Sequence, residues 1–417
     1  MAAATLTDKQ KEELNLSVLD YLHTNGFTAA FEGLQRETGL TYLGDGQQRY
    51  SNLLEKKWIS VVRLQKKVMD LEDKLSVYNT GPSSPGRKAP SNPDFLPSVA
   101  TPPTTLAGHR AAVTSIAFHP LYNSIATASE DANVSIWDFE TGEYERTLKG
   151  HTKAVNAVAF DDGEGRLGNL LATASSDLSI KLWDLQNDWK CIRTLQGHDE
   201  VVSAVAFTPS GDFLVSASRD KTVKVWEVAT GYCVRTIYGH EEWVRGVDVS
   251  EDGKFVASCG NDHNIVISDI NSGDVVNTLK GHSHVVECVA FAPLLTSKTI
   301  EKIVGASEVA VPGQYVASGS RDNTVRVWDT ETGFEVMTLT GHDNWIRSIA
   351  FHPNGKYLLS TGDDKSLIVW DLTNNGKIVR TVDAVHEQFV TCLDVHKRRG
   401  LIATGSEDQT AKVFKCS

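Results

Sequence analysis

The chain has 417 residues and carries 41 Lys+Arg against 53 Asp+Glu, a formal net charge of −12. Its 41% hydrophobic and 23% charged composition is that of a folded, water-facing protein, and the acidic balance argues against general binding to nucleic-acid phosphates or anionic lipid. No run approaches the roughly 18 apolar residues that suggest a membrane helix, and the first ten residues lack the basic start and apolar core of a secretory signal.

In chain order, residues 8–40 predict a pair of short helices. Leu14, Val18 and Leu22 form one apolar stripe, Asn25-Gly26 breaks the helix, and Phe27, Ala30, Phe31 and Leu34 form a second stripe. Some thirty residues cannot bury both stripes alone, so self-association is expected. Over 50–78, Leu54, Val61, Val68 and Leu75 recur every seventh residue with Leu64 and Leu71 interleaved. That spacing predicts a short coiled coil and, with the first element, a homodimer. Residues 79–103 hold 7 of the 12 prolines and read as an extended, mobile tether.

From 104 to 417 the sequence repeats. Gly-His stands at 108–109, 150–151, 197–198, 239–240, 281–282 and 341–342, with a degraded Val385-His386 as a seventh copy. Each His is followed by a Trp-Asp-like pair, after 28 residues in five of the seven repeats. Six residues before the Trp position stands an Asp in all seven repeats, and ten before it a Ser or Thr. This is the WD-repeat pattern, in which each repeat supplies four strands of a propeller blade. The His, Asp, Ser/Thr and Trp are expected to form a buried hydrogen-bonded network, so the seven His-Asp pairs are structural and not catalytic. Thr104-Thr105-Leu106 matches the outer-strand position of the other repeats and is expected to close the ring on the last blade. Ser268 stands where repeat four should have Trp, and Phe414 does so in repeat seven. An 18-residue insertion over 294–311 is expected to be a surface loop beside Arg321.

Nothing points to an enzyme. There is no phosphate loop, no H-E-x-x-H, no G-x-S-x-G and no His/Cys cluster with metal spacing, so neither cofactor nor metal is expected. The six cysteines are scattered without a C-x-x-C pair and read as free thiols of a reducing cytosol.

The repeat frame points to a binding face instead. Residues just before each column Asp, and those three and five after each His, should share the end where the His loops lie. Repeats three to six place large cations and indoles there: Arg219, Trp243, Arg245, Arg321, Trp345 and Arg347, with Lys365 beside Asp364. Arg and Trp dominate interface energetics. Residues 1–103 are neutral, with 12 basic and 12 acidic groups, so the whole −12 belongs to the repeats. A basic-aromatic patch on an acidic disc suits one acidic protein partner.

The helix pair, with Asp20-Tyr21-Leu22 and Gly26-Phe27, resembles the Lis homology dimerisation motif. The runs Leu54-Glu55-Lys56-Lys57-Trp58 and Arg63-Leu64-Gln65-Lys66-Lys67-Val68 resemble the coiled coil of the lissencephaly protein family, whose fungal members are called nuclear distribution protein NudF. Ala217-Ser218-Arg219-Asp220-Lys221-Thr222 and Gly341-His342-Asp343-Asn344-Trp345 extend the likeness along the repeats. The resemblance implies a mainly β fold, a seven-bladed propeller preceded by the helical motif and coiled coil. It implies a non-catalytic dimeric regulator that binds the motor domain of the cytoplasmic dynein heavy chain and works with a NudE-type coiled-coil protein. It implies a place in the cytoplasm and cytoskeleton, at microtubule plus ends and spindle poles, serving nuclear migration, spindle positioning and transport. It also implies motor contacts at Arg219, Arg245, Arg321, Trp345 and Lys365. The alternative is a WD-repeat scaffold or regulatory subunit of another complex, such as an acetylhydrolase, corepressor or ubiquitin ligase.

Overall fold

The computed structural model describes residues 15–16, 18–19, 22–24, 28–38, 96–97, 102–161, 169–304 and 311–416. The chain divides into two compact units, 1–88 and 89–417. In the first, helix α1 (Thr28–Thr38) is closed by the Thr38 hydroxyl, which donates to the Leu34 carbonyl at 2.6 Å. Before it, residues 15–16, 18–19 and 22–24 are helical, and His23 packs on Phe31 with ring centroids 5.4 Å apart. Leu16 and Leu19, outside the predicted stripe, are the buried residues, whereas Val18, Leu22 and Phe31 are half-buried. Leu14, Phe27 and the whole heptad series Leu54, Val61, Leu64, Val68, Leu71 and Leu75 lie outside the described residues.

The second unit is a ring of seven four-stranded antiparallel sheets, the blades. In the first blade the strands are Val113–Phe118, Ser124–Ser129, Asn133–Asp138 and Tyr144–Lys149, and the others repeat this order outward from the ring's axis. Inner strands of adjacent blades pack on one another. Second strands, such as Ser124–Ser129 with its Ile-Ala-Thr-Ala-Ser, are rich in small residues and buried along nearly their whole length; fourth strands such as Tyr144–Lys149 mostly face water. The small residues let the twisted sheets approach face to face.

In five blades all four repeat columns meet in one relay, and blades four and seven keep its Ser/Thr–His–Asp part. In blade five, the Trp328 indole N–H donates to the Ser318 hydroxyl at 2.8 Å, that hydroxyl donates to His282 Nε2 at 2.8 Å, and His282 Nδ1–H donates to Asp322 at 2.7 Å. The Asp oxygens also accept from the backbone of Ser283 and Thr324 and from the Thr324 hydroxyl. Blade one repeats it through Trp137, Thr127, His109 and Asp131, and blade six through Trp370, Ser360, His342 and Asp364. Both ring nitrogens of each column His are thus engaged inside the fold.

The glycine before the His belongs to the same packing. A Cβ on Gly108 would come within 2.9 Å of Trp137 Cη2, and one on Gly281 within 2.9 Å of Trp328 Cη2. The position must be bare because the indole lies against it. Blade seven shows the converse: Phe414 is shorter and Val385 stands in place of the glycine, both buried in one apolar cluster. The two departures are therefore one compensated change. In blade four Ser268 is buried and its hydroxyl has no partner among the described residues, while Val266 and Val275 stand against Gly239 where other blades place the indole.

The ring closes as its sequence predicts. Thr104–Ala107 pairs antiparallel with Thr410–Lys415, from Thr104 opposite Val413 to Ala107 opposite Thr410. Part of the expected tether, however, is docked. Leu96 is buried in the cluster with Tyr357, Val385 and Phe414, Pro97 bridges Cys416, and the Pro97 carbonyl accepts from Arg380. Elsewhere the turn between third and fourth strands receives such a donor from the preceding blade: Arg193 to Thr230 and Arg235 to Asn271. Blade seven has no such turn, because its third strand ends the repeat series and its fourth comes from Thr104–Ala107. Leu96 and Pro97 fill that place.

The expectation for 294–311 is corrected twice. Leu294–Val304 is a helix, α2, with Ile300 buried against the core. It also lies at the end of the ring opposite Arg321. In an antiparallel meander the turns between strands one and two leave at one end and those between two and three at the other. The insertion is a first-to-second connection, whereas Arg321 lies on a second-to-third turn. Consistently, the Leu294 N–H donates to Glu251 at 2.7 Å, and Leu295 lies against Gly355.

Two predictions follow from this packing. Phe414→Trp alone drives an indole into Val385 and should lower stability by about 1–3 kcal/mol. Val385→Gly added to it should recover most of that loss in denaturant unfolding, and losses that simply add would contradict the pairing. The second concerns acid. Burial pushes His151 and His386 below the ordinary 6.5, their Asp partners opposing this. Burial raises the column Asp carboxyls, but the Ser/Thr, His and backbone donors outweigh it, holding Asp177 at about 2 and Asp262, Asp364 and Asp408 below 3.8. Each such group binds its proton more readily when unfolded, so stability falls as pH drops through its unfolded value. The melting temperature should be level from pH 8 to 7, decline below about pH 6.5 and fall steeply below about pH 4. A melting temperature unchanged down to pH 4 would contradict this.

Candidate partner-binding face

The two predicted rim columns are joined within each blade. The backbone N–H of the residue before the column Asp donates to the carbonyl three after the His: Arg219 to Val201, Asn261 to Trp243, Arg321 to Val285 and Asp363 to Trp345. This bond exists because the turn holding the Asp folds back over the His loop. It fixes where the rim side chains start.

Across blades these side chains form two similar sandwiches. The Arg219 guanidinium of blade three lies 4.8 Å from the Trp243 ring centroid of blade four, with Arg245 on the same ring at 5.9 Å. The Arg321 guanidinium of blade five lies 4.3 Å from the Trp345 ring of blade six, with Arg347 at 5.3 Å. Each indole is held by a cation from the blade before and one from its own, contacts worth about 0.5–2 kcal/mol apiece. Trp243 remains 39% exposed, and Trp345 is half-buried.

Carboxylates organise three of the four cations. Glu287, in blade five, accepts from Arg321 Nε at 2.5 Å and lies 3.7 Å from Arg245 and 3.8 Å from Arg347. Asp363 receives Arg347 in a bidentate pair at 2.7 and 2.9 Å, while Arg245 Nε donates to Asn261 at 2.8 Å. Burial and then the neighbouring Arg321, Arg219 and Arg347 charges lower Arg245, with Glu287 opposing. Burial also acts to lower Arg347, but Asp363 and Glu287 outweigh it and raise it. Arg219 alone pairs with no carboxylate among the described residues, and its Nε has no hydrogen-bond partner.

Six of the seven predicted residues, Arg219, Trp243, Arg245, Arg321, Trp345 and Arg347, are thus brought together. Lys365 sits on the equivalent turn of blade six, but its Nζ donates to the Glu387 carbonyl at 2.6 Å, toward blade seven. Glu287 is the member that sequence reasoning missed. The signal was present: it is the one acid in the fifth-after-His column, between Arg245 and Arg347 of the neighbouring repeats. A search for outlying cations and indoles passes over the counter-ion that holds them.

Comparison with known proteins agrees with this architecture. The family model described as "PAC1 LisH domain" matches residues 8–43. The model described as "WD domain, G-beta repeat" matches 100–138, 142–184, 189–227, 231–269, 302–329, 333–371 and 376–415. Nuclear distribution protein PAC1 of Coccidioides posadasii (strain C735) is 47% identical over 406 residues, covering 93% of this chain and 85% of the relative. The chain belongs to the nuclear distribution protein PAC1/nudF family. Arthroderma otae (strain ATCC MYA-4605 / CBS 113480) has another such PAC1, 46% identical over 408 residues, 93% of this chain and 88% of the relative. Nuclear distribution protein nudF 1 of Talaromyces marneffei (strain ATCC 18224 / CBS 334.59 / QM 7333) is 45% identical over 403 residues, 93% of this chain and 87% of the relative. The shorter repeat match at 302–329 leaves out most of α2, which sets blade five apart from the general repeat. No helix among the described residues is long and apolar enough to cross a membrane.

Proposed function

We propose that the protein is a non-catalytic, dimeric regulator of cytoplasmic dynein that binds the motor domain through the arginine–tryptophan face of its propeller. Through that contact it supports minus-end-directed transport, nuclear migration and spindle positioning at the microtubule cytoskeleton, alongside a NudE-type coiled-coil protein. The observation that carries the reading is the pair of Arg–Trp–Arg sandwiches at one end of an otherwise acidic ring. The relatives' name, nuclear distribution protein, supports the process, and the Lis homology match supports self-association.

The geometry suits regulation by binding. Two indoles pinned between guanidiniums give rigid area at small entropic cost, and Arg219 supplies an unpaired cation for an acidic group. Dimerisation through Leu14, Val18, Leu22, Phe27 and Phe31, and through the 50–78 heptads, would place two such faces on one dimeric motor and strengthen attachment by effective concentration. The column His and Asp residues, the groups most like an acid-base pair, are occupied by the relay.

A pulldown of differently tagged copies from native lysate reads both halves. Arg219→Glu combined with Trp345→Ala should abolish recovery of the motor heavy chain while the tagged copies still recover each other and the melting temperature holds. Leu64→Asp with Leu71→Asp should separate the copies and weaken motor recovery. Full motor recovery by the first variant contradicts the face, and undiminished self-recovery by the second contradicts the coiled coil. Recovery of an acetylhydrolase, corepressor or ligase in the motor's place would favour the scaffold alternative.

A further inference from the structure

We propose that Glu287 is the specificity-determining residue of this face: a built-in counter-ion that positions three guanidiniums and leaves one, Arg219, for a single acidic side chain of the partner. The inference rests on the partner-binding reading of the face and names the chemistry that the face accepts.

The face gathers four guanidiniums, and Glu287 reaches three of them: Arg321 by hydrogen bond and Arg245 and Arg347 within 4 Å. Its carboxylate is 9% exposed, and the three arginines are 17–23% exposed. Arg347 is further neutralised by Asp363. Four unpaired guanidiniums at such burial would repel one another and would attract any polyanion. With Glu287 in place, Arg245, Arg321 and Arg347 are oriented as flanks of the two indoles, and their charge is already answered. An incoming multivalent anion meets one free guanidinium and a carboxylate that repels it. A single aspartate or glutamate beside an apolar group meets the same guanidinium, the half-exposed Trp243 ring and no requirement for further charge. Selectivity arises as much from the repulsive acid as from the attractive cation.

Blades one, two and seven show what this column does elsewhere. Thr114 and Asn156 donate to the backbone of the next blade, to Val155 and Val202, and Thr391 donates to Val113. The fifth-after-His position is thus a joint between blades, and in blades four to six the joint is ionic. Glu287 lies midway in the arc, where one acid reaches cations of blades four, five and six.

The test uses the full chain and sodium tripolyphosphate as the probe, titrated by calorimetry at pH 7 in low salt and again at physiological salt. Glu287→Gln keeps the shape and removes the charge. It should bind tripolyphosphate at least about tenfold more tightly than the wild type, with a steeper loss of affinity as salt rises. Arg219→Ala in the Glu287→Gln background should remove only part of the gain, because Arg245 and Arg321 have become available. Glu287→Asp, which keeps the charge, should stay within about twofold of the wild type. Thermal unfolding gives the same answer if Glu287→Gln is marginally stable: tripolyphosphate should raise its melting temperature more than it raises the wild type's. Equal affinities, or equal shifts in melting temperature, overturn the proposal. Since the probe contains no motor, that failure is distinct from failure of the pulldown, which tests the face itself.

Discussion

The hydrogen-bond relay from indole to hydroxyl to imidazole to carboxylate is the interaction on which the ring depends. A propeller blade is a small, strongly twisted sheet whose loops have little apolar area to hold them. The relay ties two connections to the strands between them: the His loop before the first strand and the Asp turn after the second meet the Ser or Thr of the second strand and the Trp of the third. The indoles, the hydroxyls and all the imidazoles but His240 are buried, and the carboxylates are half-buried, so losing one member leaves the others unsatisfied at about 1–3 kcal/mol. That penalty makes the loop positions a property of the core. The rim residues stand one, three and five positions from relay members, so they inherit that rigidity. The sandwiches of Arg219 with Trp243 and Arg321 with Trp345 need it, because their partners come from different blades.

The same logic accounts for the ring's irregularities. Blade seven loses an indole and gains a valine, keeping its volume; its Thr404 accepts no indole N–H yet still holds His386 at 2.9 Å. Blade seven also lacks a turn between third and fourth strands, and the chain meets the need with Leu96 and Pro97. Leu96 and Pro97 are therefore part of the propeller's packing. Blade four keeps its glycine and loses its indole, and Val266 and Val275 lie against Gly239 in the indole's place.

Much of this was legible in the sequence because relay chemistry tolerates few substitutes. A column of seven Asp and seven Ser/Thr at fixed spacing admits one architecture, and ring closure follows from the outer-strand pattern of Thr104-Thr105-Leu106. The rim cluster was legible because its columns are set by the same frame. What escaped had no periodic signature. Leu96 is one apolar residue in a proline-rich stretch, and its burial depends on a turn missing some 300 residues away in the chain. The end at which α2 lies depends on strand direction, which the length of an insertion does not reveal. Glu287 was hidden by its sign. Read alone it is an acid on an acidic ring, and only the geometry shows three arginines closing on it.

The central claim, that the relay is a single closed unit in each of the five blades that carry its indole, is tested most directly by hydrogen exchange at the indole N–H groups, followed by nitrogen-resolved NMR. The indoles of Trp137, Trp183, Trp226, Trp328 and Trp370 should exchange only through global unfolding, with protection matching the slowest backbone amides, while the Trp243 indole exchanges rapidly. Relay indoles that exchange as fast as Trp243 in the folded protein would contradict the account.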